Sequence, residues 1–340
     1  MKRVVLLLAC ISIPIDARSL HAQELHLVPS HYFAGTHQPF LDACLHVEQW
    51  RSVYARTTFL GSDDGLDAVD SSTLATCFSQ MHARGLLFTL ETGITGAFAT
   101  GQEAFNWNSP KWNRFISLGS PLTTLFMDEP LHNGTLFQHL SYSTIVAETA
   151  NWIALVRRRF PRLELILIEP YPAESSKVIT DFVSDVNAAA GAKGVAGLDG
   201  LQIDHAWDGQ GPWNGTDMAE MCAAAHSRRM EFSIIFYAAM PFQNPTDDCD
   251  FRARLYQQWE SYKANGIDYY GFYPDIYTIE SWDQLPSVTV PEATNACTFM
   301  QGARQWLNSI NMVEPIRAGF SSGRSCEGLL ACDQPRIDSK

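Results

Sequence analysis

Short runs rich in β-branched and aromatic residues recur along the chain, and each is followed by a stretch whose apolar residues repeat at helical spacing. This alternation is the pattern of repeated strand–helix units around a parallel sheet. Strands are predicted over residues 25–28, 53–60, 86–91, 123–128, 163–169, 200–204, 232–237 and 269–273. Helices are predicted over 40–50, 71–84, 112–118, 143–160, 175–190, 217–229, 250–265 and 291–310. Gly85 and Gly266 stand where a helix has to stop in a left-handed conformation, and Ser71, Ser143 and Ser175 where a capping oxygen is wanted. Eight alternations fit a single α/β domain, a (β/α)8 or TIM barrel, a fold of about 250 residues before loop insertions. A doubly wound open sheet would carry a glycine-rich phosphate turn after an early strand, and Gly61-Ser62-Asp63-Asp64-Gly65 has the wrong spacing for one. The barrel is expected over residues 23–315, with a C-terminal tail over 316–340.

Composition narrows the class. The 340 residues are 46% hydrophobic and 18% charged, which excludes a disordered chain and calls for a large core. With 37 acidic against 24 basic residues, the formal net charge of −13 argues against a nucleic-acid partner, which would need clustered Lys and Arg. Lys2-Arg3 and the apolar run from Val4 to Ile13 read as a secretory signal over residues 1–22, too short to span a bilayer. A secreted or periplasmic monomer with no membrane span is expected. The alternative is a lipoprotein anchored through Cys10, the end of Leu7-Leu8-Ala9-Cys10. Export favours disulfides: Cys44 with Cys77, Cys222 with Cys249, and Cys326 with Cys332 stapling the tail, leaving Cys297 over.

In a barrel of this kind the C-terminal ends of the strands carry the chemistry, because eight loops converge there. The strand ends of this chain are acidic: Glu91 on the third, Asp128-Glu129 on the fourth, Glu169 on the fifth, Asp204 on the sixth and Asp275 after the eighth. Alternation sends Thr89 and Glu91 into the barrel, with Gln202 and Asp204, and Ser233, Ile235 and Tyr237; His205 faces the helices. Carboxyls crowded after apolar strands raise one another's pKa, and Arg56 at the end of the second strand lowers it, so acids and bases of different strength arise together. Trp107, Trp112, Trp207 and Trp213 fall in predicted loops or loop–helix junctions, where a ring can stack on a sugar. His31 and His37 have no partner at metal-ligand spacing and no HxH or HExxH occurs, so no metal and no cofactor is expected.

Paired carboxylates flanked by aromatics are the equipment of glycoside hydrolysis. Asp128-Glu129-Pro130 at the end of the fourth strand resembles the Asn-Glu-Pro of the superfamily of retaining (β/α)8 glycoside hydrolases that includes cellulases and β-glycanases. The resemblance implies Glu129 as acid/base and Arg56 as the group that steadies the nucleophile. The chain departs from the pattern twice: Asp128 replaces Asn, and strand seven ends Phe236-Tyr237-Ala238-Ala239-Met240, with no carboxylate where the superfamily has its nucleophile. The expected catalytic set is Glu129 with Asp204 or Glu169, and the expected substrate-binding set is Arg56, Glu91, Asp128, Trp207, Tyr237 and Asp275, acting on a poly- or oligosaccharide. Strand spacing puts the fourth and sixth strands roughly 9 to 10 Å apart. A non-catalytic carbohydrate-binding barrel and a metal-assisted hydrolase of the same fold are the rival readings.

Overall fold

Eight parallel strands pair in chain order and the last pairs with the first, so the sheet closes into a barrel. The computed structural model describes residues 24–29, 38–49, 57–62, 66–205, 214–238, 245–264, 274–281, 285–292 and 297–309. The strands are β1 Glu24–Val28, β2 Thr57–Ser62, β3 Leu87–Gly93, β4 Leu122–Asp128, β5 Glu164–Tyr171, β6 Gly200–His205, β7 Glu231–Phe236 and β8 Ile276–Glu280. The helices among the described residues are α1 Gln38–Leu45, α2 Ser71–Ala83, α3 Gly101–Ser117, α4 Pro130–Leu136, α5 Tyr142–Arg159, α6 Ser176–Ala192, α7 Gly215–Ser227, α8 Asp248–Tyr262 and α9 Phe299–Ser309. None of them is long and apolar enough to cross a membrane.

Alternation along the strands sorts the side chains. Outward residues meet the helices: Phe88 of β3 lies 5.2 Å from Phe78 of α2 and 6.2 Å from Phe115 of α3, ring centre to ring centre. Trp112 is buried between Trp152 of α5 and Phe160, so it fills core rather than rim, whereas Trp107 on the same helix is 60% exposed. Inward residues fill the barrel. Gln202 Nε2 donates to Ser233 Oγ at 2.9 Å and Thr278 Oγ1 at 2.5 Å, a polar bridge across β6, β7 and β8.

Where pattern and structure differ, a local reason is visible. The strand predicted over 269–273 lies outside the described residues, and the strand that closes the barrel is Ile276–Glu280. Helix α3 starts at Gly101 and runs through Pro110, because Thr100 and Glu103 form a reciprocal capping box a full turn and more upstream of the proline. Asp70 and Ser141, one and two residues before the predicted serines, cap α2 and α5, while Ser175 caps α6 as expected.

The Cys44–Cys77 bridge joins α1 to α2 with Cα atoms 5.3 Å apart. Cys249 bonds Cys297 rather than Cys222, Cα to Cα 4.9 Å. Cys222 lies in the half of α7 near the start of β7, whereas Cys249 opens α8 at the opposite rim. The Cys222 thiol is free and buried, and burial, then Asp275, push its pKa up to about 12. The segment 1–22, the tail 316–340 with Cys326 and Cys332, and Arg56, Trp207 and Trp213 lie outside the described residues.

Candidate active site

The β4–α4 junction builds the centre of the site. Glu129 takes the N-cap position of α4 in a left-handed conformation, φ 40° and ψ 51°, and its side chain makes no capping hydrogen bond. The first-turn amides are satisfied from the neighbouring strand instead. Glu169 accepts from Leu131 N at 2.8 Å and His132 N at 3.3 Å. Alternation explains the arrangement: Glu169 registers against outward-facing Ile203 of β6, so its carboxyl faces the helix layer and the start of α4. Relieved of capping, the Glu129 carboxyl turns to the barrel mouth.

There it meets Asp204. Asp204 follows Gln202 by two residues on the inward face of β6, and the carboxyls of Glu129 and Asp204 share a hydrogen bond. Asp204 is 9% exposed, and its Oδ1 makes no hydrogen bond. Glu91 on β3, Asp128 on β4 and Glu280 on β8 complete a bowl of five carboxyls. Burial is the first cause that raises Asp204 and Glu91 well above the ordinary carboxyl range. For Asp204 the charges of Glu129 and Glu280 follow; for Glu91 those of Glu280, Asp128, Glu129 and Asp204. Glu129 is raised by burial, with the hydrogen bond from Asp204 and the charge of His132 pulling it back. The pair therefore titrates as one, retaining a proton beyond the usual carboxylate pH.

The structure brings Glu91, Asp128, Glu129 and Asp204 together and sets two expected residues elsewhere. Glu169 faces α4 as described, away from the bowl. Asp275 precedes β8 and belongs to the opposite rim: it accepts from Phe232 N at 2.9 Å, its Oδ2 lies 2.7 Å from His226 Nε2, and its carbonyl accepts from Glu24 N at 2.9 Å, so it braces the starts of β7, β8 and β1. Tyr237, just after β7, is buried at the carboxyl rim. His205 packs outward with its ring 5.8 Å from that of Tyr171, and burial depresses its pKa to about 3. The contact between Glu129 and Asp204 is tighter than strand spacing suggests, because Glu129 has left the strand by the time its side chain is placed.

Glu280 is absent from the residues that the pattern picks out, although Ile276-Tyr277-Thr278-Ile279-Glu280 is an alternating strand ending in a carboxylate; the aromatic run before it has the stronger strand character. His132 and Glu174, 3.1 Å apart beside Glu129, carry no signal in the sequence. Among the described residues no three His, Cys, Asp or Glu side chains stand close enough together to hold a metal ion.

No protein-family model matches the chain, and no curated protein sequence does either. Solved structures similar in fold include a glucosidase from Croceicoccus marinus, 14% identical over 76% of this chain with a TM-score of 0.46; this chain spans only 63% of its length. D-psicose 3-epimerase from Clostridium cellulolyticum H10 is 11% identical over 85% of this chain and 98% of its own, TM-score 0.48. QR15, an aldolase, is 12% identical over 88% and 100%, TM-score 0.43. Likenesses this distant concern the barrel and say nothing of substrate or reaction.

Proposed function

We propose that the chain is a glycoside hydrolase that cleaves O-glycosidic bonds of a poly- or oligosaccharide, with Glu129 and Asp204 as its working pair. The observation that carries the reading is the shared hydrogen bond between these two raised carboxyls at the mouth of the barrel. A carboxylic acid and a carboxylate flanking the scissile bond are what glycosidic cleavage requires. Glu129 is the more exposed of the two; at rest Asp204 donates the shared proton, and in the reacting form that proton has passed along the hydrogen bond to Glu129, leaving Asp204 the carboxylate. The proton passes to the glycosidic oxygen as the bond from that oxygen to the anomeric carbon breaks, and the bonding electrons leave with the oxygen. Asp204 then meets the positive charge on the sugar ring, by bonding to it or by taking a proton from attacking water.

Carboxyls that share a hydrogen bond stand closer than the roughly 5 to 5.5 Å of retaining pairs and the roughly 6.5 to 9.5 Å of inverting ones, so the proposed reaction requires an entering sugar to part them. Glu91, Asp128 and Tyr237 at the same rim, with Arg56 and Trp207, are the groups proposed to hold the sugar. Two disulfides fit the proposed secretion into an oxidising compartment.

The test is release of reducing ends from a polysaccharide panel. Glu129→Gln is expected to lower the rate by roughly 10²- to 10⁴-fold; equal rates for the two proteins reject the assignment. One feature favours a second reading: β7 runs into Tyr237-Ala238 with no carboxylate. A carbohydrate-binding barrel without turnover is the outcome if glycans on an array bind tightly and none is cleaved.

A further inference from the structure

The groups around the working pair are not all negative. His132 lies in the first turn of α4, three residues and so about one turn along from Glu129 at the N-cap. Two contacts hold it. Its main-chain N–H donates to Glu169, and its ring Nδ1 lies 3.1 Å from Oε1 of Glu174, in the segment after β5. The side chains of His132 and Glu174 are 27% and 22% exposed, so both stand at the lip of the bowl rather than in solvent. A carboxylate at Nδ1 orients the ring with that nitrogen protonated and leaves Nε2 as the site that gains or loses the second proton.

Glu129 is faced by Asp204 from β6, Glu91 from β3, its neighbour Asp128 from β4, and Glu169 and Glu174 from the β5 side. All of these are carboxyls. Among the described residues acting on it, His132 is the group of opposite sign: it favours the ionised form of Glu129, and Glu174 opposes it. When Glu129 gives up its proton, a new negative charge appears in a bowl that already disfavours charge. Burial alone makes that costly.

We propose that His132, held by Glu174, is a positioning residue for Glu129, its ring cation being the counter-charge against which Glu129 ionises. The inference rests on Glu129 being the acid of the proposed hydrolysis. His132 does not touch the glycosidic bond in this scheme; it acts through the charge state of its neighbour.

The experiment is a titration of the Glu129 carboxyl by NMR of protein labelled with 13C in glutamate carboxyl groups, with Glu129→Gln to assign the signal. In His132→Gln the Glu129 midpoint is expected to rise by roughly 0.5 to 1 on the pH scale, a proton held about 3- to 10-fold more tightly. His132→Lys restores a cation and is expected to keep the midpoint at or below that of the unaltered protein. A midpoint in His132→Gln within about 0.2 of that of the unaltered protein, or an equal rise in both variants, overturns the proposal.

Should neither variant fold, the unaltered protein decides: the Glu129 curve must show an inflection where the 15N signals of the His132 ring titrate, and a single smooth transition overturns the proposal. If the panel yields hydrolysis, the high-pH limb of kcat/KM is expected to move up with the midpoint in His132→Gln, which loss of packing alone would not do. Absence of hydrolysis defeats the proposed function and leaves the titration to judge His132 by itself.

Discussion

Glu129 and Glu169 divide two tasks that one carboxylate at a helix start often combines. Glu169 takes the amides of Leu131 and His132, and Glu129 keeps its carboxyl for Asp204. The division gives the two residues different mutational signatures. Glu169→Ala leaves the buried donor of Leu131 and the half-buried donor of His132 without their partner and is expected to cost about 1 to 3 kcal/mol in chemical denaturation. Burial already keeps Glu169 protonated well above the ordinary range, so Glu169→Gln, of the same shape and with one oxygen left to accept from Leu131 N, is expected to retain more stability than the alanine variant and most of the activity. A Glu169→Gln protein as inactive as Glu129→Gln would put Glu169 back in the reaction. In the sequence the two are interchangeable, since each is a Glu before a Pro at a strand end; only strand register separates the outward one from the one beyond the strand.

At the scale of elements, strand–helix alternation is legible for seven of the eight strands, because β-branched runs bounded by turn residues stand out wherever their ends are drawn. The eighth is not. Tyr269-Tyr270-Gly271-Phe272-Tyr273 outweighs Ile276–Glu280 in aromatic content, and only closure against β1 shows that the later segment completes the barrel. That displacement takes Asp275 out of the bowl and brings Glu280 into it. Helix α3 carries a sharper constraint than its pattern shows. A Cβ on Gly101 would stand 2.8 Å from the main-chain N of Trp152, so α3 begins directly against α5, with Trp112 and Trp152 packed beyond the contact. Gly101→Ala is expected to lower stability by about 1 to 3 kcal/mol, since the obstacle is backbone that has no room to yield. An unchanged melting temperature would mean that α3 and α5 are not held this closely.

For the molecule as a whole, the bowl links site chemistry to stability. Glu91, Asp204 and Glu169 keep their protons to higher pH in the folded chain than in the unfolded one. The folded state therefore binds more protons. The stability these groups contribute is complete below the ordinary carboxyl range and is lost as pH rises toward their raised values. Asp250 acts in the opposite direction through Arg254 but lies near the surface, where solvent screens it. The melting temperature is expected to fall as pH rises above the ordinary carboxyl range. Glu91→Gln is expected to flatten that fall and raise the value at the upper end, since one proton bound only in the folded chain makes stability decline by about 1.4 kcal/mol per pH step of one. A profile that Glu91→Gln leaves unaltered would show that the bowl carries no such strain.

The left-handed backbone at Glu129 has one more consequence, on the timescale of descent. A side chain at φ 40° is held at a cost that glycine does not bear, and the helix that follows is capped by another residue. Helix capping therefore does not hold Glu in that position. Were the proposed hydrolysis what keeps Glu there, drift to Gly at 129 in a lineage released from it would relieve the backbone strain, and a barrel with Gly there and Glu169 intact would mark that release.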